Sequence, residues 1–467
     1  MRARRSLESD WTMNYEEFLA GKRLSDVPTG FDPGTITPKA FDFQQDIIRW
    51  ALRRGRAAIL ADCGLGKTLM EHAWADAVVR HTNKSVLLFA PLGVVQQHIR
   101  EAHKFGFEVK YVRNQNEVAG AGIYITNYQK LHLFDLSQFV GVELDESSIL
   151  KSFEGKFRSQ IIKESRRVAY KLAGTATAAP NDLIEIINHA EFLGVMSGKE
   201  IIALFFKQDG NSTHHWKLKG HAEKDFWQWV CSWAVNIRKP SDLGYDDGQF
   251  ILPKLTLVEH TIKNQKPMDG WLFPVQASTL AERRAARRAS MVGRIDIAIE
   301  LSKSNSDQWV FWCDLNDEST QLSKAIGAAE ITGSTPEEER EEIMLNFLDG
   351  NIRDVVTKPA LWGFGLNLQC CHQTACVGLS DSYERFYQLV RRFWRFGQPS
   401  PVDCHIITSE AEGAVLENIK RKEKDSNKLI DEMVKNMADI SSSEIKGQTR
   451  NVMDYTPSTE VRMPAWL

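Results

Sequence analysis

Several marks of a special environment are missing from this sequence. No uncharged apolar run approaches the ~18 residues of a membrane span, so a membrane partner is not expected. The opening MRARRSLESDW is basic, then acidic and polar. It lacks the apolar stretch of about 7–15 residues that a secretory leader carries. An excess of one charge is missing too: 58 Lys and Arg stand against 61 Asp and Glu, a formal net charge of −3. Any nucleic-acid surface must therefore be local, built from clustered Arg and Lys. Seven cysteines, an odd number at irregular spacing, exclude a disulfide framework and point to a reducing cytoplasm. Cys63, Cys313 and Cys376 sit in apolar runs, where a free thiol behaves as a small hydrophobe. In the group Cys370, Cys371, His372 and Cys376 the two adjacent cysteines lack the usual C-x₂₋₄-C spacing of a zinc site, and the group reads as buried residues in a strand. No internal repeat of 20–50 residues occurs.

What is present is an ordinary globular balance, with 43% hydrophobic and 25% charged residues over 467 positions. That length suits two domains plus an insertion. Short β-branched runs alternate with amphipathic stretches from about residue 57 to 193. The runs AAILAD (57–62), SVLLFA (85–90), GIYIT (122–126), VGVEL (140–144) and RVAYKLAG (167–174) read as buried strands. Helical patterns fall at 68–80, 93–103 and 154–164. Strands alternating with helices imply a parallel sheet covered on both faces.

The pattern returns in KLTLVEHTI (254–262), QWVFWC (308–313), AAEIT (328–332), DVVT (354–357), TACVGL (374–379) and VDCHIIT (402–408). Ser334 and Thr335 ahead of PEEEREEIMLNFL announce a helix N-terminus. The expected fold is α/β: two tandem domains with parallel sheets. The boundaries expected are an N-terminal extension over 1–37, a first lobe over 38–195 and a second over 254–437. A helical Trp-rich insertion spans 196–253, carrying Trp216, Trp227, Trp229 and Trp233, and a tail covers 438–467. Such tryptophans serve as core or interface more often than as base-stacking platforms.

Three clusters carry chemistry. Ala61-Asp62-Cys63-Gly64-Leu65-Gly66-Lys67-Thr68 lies directly between a strand and a helix, the context a phosphate loop requires. Gly64 and Gly66 let backbone N–H groups approach phosphates, Lys67 would reach the β- and γ-phosphates, and Thr68 would bind Mg²⁺. Asp145 and Glu146 follow an apolar strand at its carboxyl end, where ligands gather in open α/β sheets. Asp145 is the candidate metal ligand, and Glu146 the candidate base toward the attacking water. In YERFYQLVRRFWRFGQ, Gln388, Arg392 and Arg395 share one helical face. Spacing alone leaves two readings for that face: arginine fingers reaching a γ-phosphate, or a solvated basic surface.

In order and over about residues 40–400, these segments resemble a superfamily-two helicase of the SWI/SNF-like branch, of bacterial or phage type. Phe43-Gln44 with Trp50 resembles the adenine-reading Q motif, and ADCGLGKT resembles motif I. FAPLGVVQQH (89–98) and ITNYQKL (125–131) are similar to motifs Ia and Ib, and LDESS stands at the D-E-x-H box. LAGTATAAPNDLIEIINHAEFL (172–193) resembles motif III and the helix after it, and VFWCDLNDE (310–318) with ITGSTPEEER (331–340) resembles motif IV and the segment after it. TKPALWGFGLNLQ (357–369) resembles motif V, and QLVRRFWRFGQ fits Q-x-x-x-R-x-x-R-x-G-Q at every fixed place.

The resemblance implies two RecA-like lobes with ATP and Mg²⁺ in the cleft between them. Duplex DNA is the implied partner, in the cytoplasm of a bacterial cell or a phage-infected host. The implied activity is an ATP-dependent DNA translocase or helicase. An RNA-directed or strand-separating helicase and a nucleotide-gated interaction module are the alternatives. Gln44 would read adenine, and Gln388 would join the nucleotide site. Arg392 and Arg395 would act in catalysis with Glu146. Thr175, Ala176, Thr177, Gly363 and Asn367 would couple hydrolysis to nucleic-acid grip. Two departures stand out. Ser147 and Ser148 replace Ala-His in the box, so the histidine link to motif III is missing, and Lys358-Pro359 is unusual for motif V. The basic stretch 282–290 is a candidate for a helix near nucleic acid or bracing the two lobes, with a solvated basic helix as the alternative.

Overall fold

The computed structural model describes residues 28–151, 155–177, 183–208, 216–263, 280–362, 367–378, 382–410 and 413–445. In the first lobe the strands are β1 (Arg56–Ala61), β2 (Val86–Ala90), β3 (Val109–Tyr111), β4 (Ile123–Asn127), β5 (Gly141–Asp145), β6 (Tyr170–Thr175), β7 (Phe206–Gln208), β8 (Trp216–Leu218) and β9 (Ala234–Ile237). β7 and β8 form an antiparallel pair of their own. The other seven make one parallel sheet in the order β3-β4-β2-β5-β6-β1-β9.

Around the sheet lie α1 (Asp42–Arg54), α2 (Lys67–Thr82), α3 (Val95–Phe105), α4 (Lys156–Glu164), α5 (Ile186–Leu193), α6 (Gly198–Phe205) and α7 (Glu223–Trp233). Successive residues of a strand point to opposite faces, and both faces are dry here. Ala58, Leu60, Leu87 and Phe89 enter one core, whereas Ala57, Ile59, Leu88 and Ala90 enter the other. A sheet covered twice needs the continuous apolar runs that the sequence supplies.

The second lobe contains β10 (Leu255–Ile262), β11 (Trp309–Trp312), β12 (Ala329–Glu330), β13 (Asp354–Thr357), β14 (Gln373–Cys376) and β15 (Val402–Ser409). They form a second parallel sheet, ordered β10-β15-β14-β11-β13-β12. Its helices are α8 (Leu280–Ala289), α9 (Met291–Ser304), α10 (Asn316–Ile326), α11 (Glu337–Leu348), α12 (Pro359–Trp362), α13 (Tyr383–Phe393) and α14 (Gly413–Ile445). The expected α/β fold with two parallel sheets is present.

Three details differ from the reading of the sequence. The Trp-rich span is not purely helical: it gives the β7–β8 pair and the edge strand β9, which pairs with β1. Trp227, Trp229 and Trp233 are buried in the first-lobe core, because α7 lays its aromatic face over that sheet. A four-residue strand joined without a gap to a helix offers no alternation to read. Secondly, α11 begins after Pro336 with no side-chain cap. The hydroxyl of Thr335 accepts from the backbone N–H of Thr332 and closes the preceding turn instead.

Thirdly, α14 runs on to Ile445, past the expected start of the tail at 438, and crosses from one lobe to the other. Val415 and Ile419 pack in the second-lobe core, Met433 and Met437 in one core of the first lobe, and Ile445 in the other. Arg238 of the first lobe pairs with Asp431 on this helix and donates to Asn427 at 3.3 Å. No described helix is long and apolar enough to cross a membrane.

Candidate nucleotide site at the lobe interface

The loop between β1 and α2 is shaped by its glycines. Gly64 and Gly66 have φ of +90° and +76°, the left-handed region that a side chain disfavours. A Cβ on Gly66 would fall 2.4 Å from Gln44 Nε2, and one on Gly64 would fall 2.8 Å from the backbone nitrogen of Phe396. α2 then begins at Lys67, so the loop wraps a helix N-terminus, the local field that favours phosphate. Lys67 Nζ donates to the carbonyl of Ala61 at 2.9 Å, reaching back across the loop. Burial opposes the charge on Lys67, but Cys63, Glu146, Asp145 and Glu71 together outweigh it and hold the ammonium above its usual pKa. Thr68 stands next to Lys67 in the first turn of α2.

Gln44, expected as a reader of adenine, supports this loop. Its Nε2 donates to the carbonyl of Leu65 at 2.7 Å, and its Oε1 accepts from the backbone of Phe41 at 2.9 Å. Trp50 is buried in the core behind it.

The carboxylate pair stands one strand over. Asp145 ends β5 and Thr175 ends β6, with Asp145 paired in register to Gly174. Glu146 follows with φ +52°, one of two described non-glycine residues in the left-handed region. Such backbone persists where the surroundings fix it, and active sites are where it clusters. Tyr128 donates its hydroxyl to the carbonyl of Asp145 at 2.5 Å.

His98 of α3 meets the Asp145 carboxylate at 2.9 Å, and both side chains are buried. Burial alone would raise the Asp145 pKa, but His98, Lys67 and the Glu146 backbone N–H outweigh it and hold Asp145 ionised below the ordinary carboxylate range. Asp145 in turn raises His98 against the effect of burial. Glu71 of α2 completes a group with His98 and Asp145 whose ligand atoms lie within 4.8 Å of one another. Both Glu71 oxygens are buried without a hydrogen-bond partner. Burial and the neighbouring Asp145 and Glu143 push its pKa well up.

A hard divalent cation fits this corner. Asp145 is an anionic oxygen donor, Thr68 offers a hydroxyl at the helix start, and Glu71 has unpartnered carboxylate oxygens nearby. Among the described residues the Cys370–Cys376 segment forms no such group. Cys371 instead donates to the carbonyls of Gln308 and Gln373, as a buried structural thiol does.

The second lobe closes over the loop. α13 and the residues after it lie against Gly64, with Arg395 Cβ and the Phe396 backbone at its surface. Arg392 and Gln388 are both buried, and Arg392 Nη2 reaches Gln388 Oε1 at 3.4 Å. Burial pulls the Arg392 pKa down to about 10, opposed by Cys63 and then by Glu146 and Asp145. Burial also lowers Arg395, whose Nε is buried without a partner. Arg392, near the end of α13, is therefore buried and not part of a solvated basic surface, and Arg395, two residues beyond the helix, lies against Gly64.

Beside Arg392 on α13 stands Arg391, which sequence spacing did not single out. It forms an ion pair with Asp62 of the loop, while Tyr387 donates to the same carboxylate at 2.5 Å. The signal was partly visible: Asp62 is a charged residue inside a phosphate loop, and Arg391 is a third arginine beside the two expected ones.

The residues expected to couple hydrolysis to nucleic-acid grip lie in two places. Thr177 donates its backbone N–H to Thr175 Oγ1 at 3.1 Å, and Ala176 lies between them. Asn367 donates across the cleft to Glu101 of α3 at 3.1 Å, so its amide is engaged by the first lobe. Gly363 and Gly365 lie outside the described residues. Ser148 offers no imidazole, but its neighbour Ser147 meets a histidine from α5. His189 shares a hydrogen bond with Ser147 Oγ at 3.1 Å, and both residues are fully buried. Within the basic stretch over 282–290, Arg287 is buried and pairs with Asp314 of its own lobe at 2.5 Å.

Residues 293–397, from α9 through the arginine segment, match the helicase conserved C-terminal domain family. The second lobe thus carries a helicase-type C-terminal domain. No curated protein matches the chain. Among solved structures, the Sulfolobus solfataricus SWI2/SNF2 ATPase core in complex with dsDNA is similar at 16% identity and a TM-score of 0.42. That alignment covers 90% of this chain and 98% of that one.

Proposed function

We propose that this chain is an ATP-dependent DNA translocase of the superfamily-two, SWI/SNF-like kind, stimulated by duplex DNA. The observation that carries the reading is the seat of the second lobe's arginine segment on the first lobe's phosphate loop at Gly64. Phosphoryl transfer is catalysed mainly by positioning and charge, and this junction supplies both. The loop N–H groups and Lys67 would hold the phosphates, with Thr68 and Asp145 at the cation. Mg²⁺, when bound, would neutralise charge on the phosphate oxygens. Glu146 would orient the attacking water and take its proton. Arg392 and Arg395 would stabilise charge in the transition state, a contribution of about 10³–10⁵ in rate for an arginine finger. Because those arginines come from the other lobe, turnover depends on closure, and polymer across both lobes would favour closure. The fit of QLVRRFWRFGQ to the branch pattern supports DNA over RNA.

Steady-state ATPase activity with no polymer, duplex DNA, single-stranded DNA and RNA, at two salt concentrations, tests the reading. Duplex stimulation that fades as salt rises is expected, since backbone grip releases counterions. Lys67→Ala is expected to abolish turnover, and Arg395→Ala to keep ATP binding while losing hydrolysis. Preferential stimulation by RNA would replace the substrate. Inactivity in all four conditions with ATP still bound would make the chain a nucleotide-gated interaction module.

A further inference from the structure

The geometry points to Arg391 and Tyr387 as positioning residues that set Arg392 and Arg395 against the phosphate loop by gripping Asp62. This rests on the nucleotide-site reading above and adds residues outside the Gln388, Arg392 and Arg395 pattern.

Asp62 is the second residue of the loop, and its carboxylate is used from both sides. Oδ1 accepts the backbone N–H of Cys63 at 2.7 Å and the Tyr387 hydroxyl at 2.5 Å, while Oδ2 pairs with Arg391. Two of these three partners belong to α13, on the other lobe. The pair is well shielded, with Arg391 and Asp62 side chains 7% and 13% exposed, so its charges are weakly screened and sensitive to geometry.

Arg391 is also the node of its own segment. Its Nε donates to Tyr387 one turn back, and its Nη1 donates to the Trp394 carbonyl at 3.4 Å. Its guanidinium lies 4.7 Å from the Trp394 ring centre. One side chain thereby ties together Asp62, the body of α13 and the start of the segment that leaves it. That segment carries Arg395 and Phe396 directly onto Gly64. A planar guanidinium can meet a carboxylate, a carbonyl and a ring at once, which a lysine cannot.

A double-mutant cycle tests the grip with Arg391→Gln, Asp62→Asn and the two combined, each folded full-length variant assayed with duplex DNA. Arg391→Gln is expected to lower kcat at least tenfold while KM and the Kd for a non-hydrolysable ATP analogue stay within about twofold. Asp62→Asn should lower kcat similarly, and the double variant should be no worse than either single one. Arg391→Lys should recover part of the loss. Amide hydrogen exchange without nucleotide reads the contact independently of turnover. Exchange over residues 62–66 and 394–397 should rise in both single variants. An inactive wild-type protein that still shows these exchange changes would sink the ATPase reading and keep the grip. Unchanged exchange, a loss confined to KM, or additive losses in the double variant would overturn the positioning role.

Discussion

His189 and Ser147, 42 residues apart in the chain, meet through a buried hydrogen bond inside the first lobe. The box lacks its histidine, yet a buried histidine on α5 reaches back to the box serine. Removing one partner of a buried hydrogen bond leaves the other unsatisfied, at a cost of about 1–3 kcal/mol. His189→Ala is therefore expected to lower unfolding stability by that amount. It should also reduce polymer stimulation more than the unstimulated ATPase rate, a difference steady-state kinetics would detect.

The same residue makes a pH prediction. Burial pulls its pKa down to about 4, only partly opposed by the Glu185 backbone, and burial pulls His72 to about 3. An unfolded histidine titrates near ~6.5, so below that pH the unfolded chain binds protons that the folded chain refuses. The stabilising contribution is complete above ~6.5 and is lost as pH falls from there through the folded values. Denaturant midpoints should drop between pH 7 and 5, and His189→Asn should flatten part of that slope.

At the scale of elements, Arg294 on α9 shows how the second lobe holds its shape. It is fully buried, pairs with Glu318 at the start of α10, and donates to the carbonyls of Val377 after β14 and Arg287 on α8. Replacing Arg294 with Met would leave Glu318 buried without its partner, and breaking such a pair typically costs about 3–5 kcal/mol. Urea unfolding should show that loss, with Glu318→Gln in the same background restoring part of it.

None of this was legible in the sequence, where Arg294 is one basic residue among many in a helical stretch. What could be read were features with strong local signatures. The five first-lobe runs and six second-lobe runs all hold strands, because a sheet buried on both faces writes itself as apolar runs. β3, β7, β8 and β9, of three or four residues each, carry too little pattern to stand out. The glycine loop between β1 and α2 and the place of Asp145 and Glu146 at the end of β5 could be read because each is contiguous in the chain. His98, Asp62 with Arg391, and Ser147 with His189 depend on pairings between distant segments, which spacing cannot display.

At the scale of the molecule, α14 matters beyond its own length. Met433 and Met437 fill the first-lobe core although they follow every strand of the second lobe in the chain. Truncating a buried methionine to alanine costs about 2–5 kcal/mol. In Met433→Ala and Met437→Ala the loss should appear in the first lobe. Hydrogen exchange should rise over α7 and β9, which α14 covers, and stay unchanged in β11 and β13.

This arrangement has a consequence for how the protein is made. The first lobe takes its edge strand from residues 234–237 and its last core side chains from α14, which ends at Ile445. Domains ordinarily fold in turn as they leave the ribosome, the N-terminal one first. Here the first lobe stays open on the α14 side until the second has been synthesised, and the two reach their final packing together. A nascent chain stopped between the lobes would present bare apolar surface to chaperones and proteases, so synthesis itself distinguishes a finished molecule from a broken one.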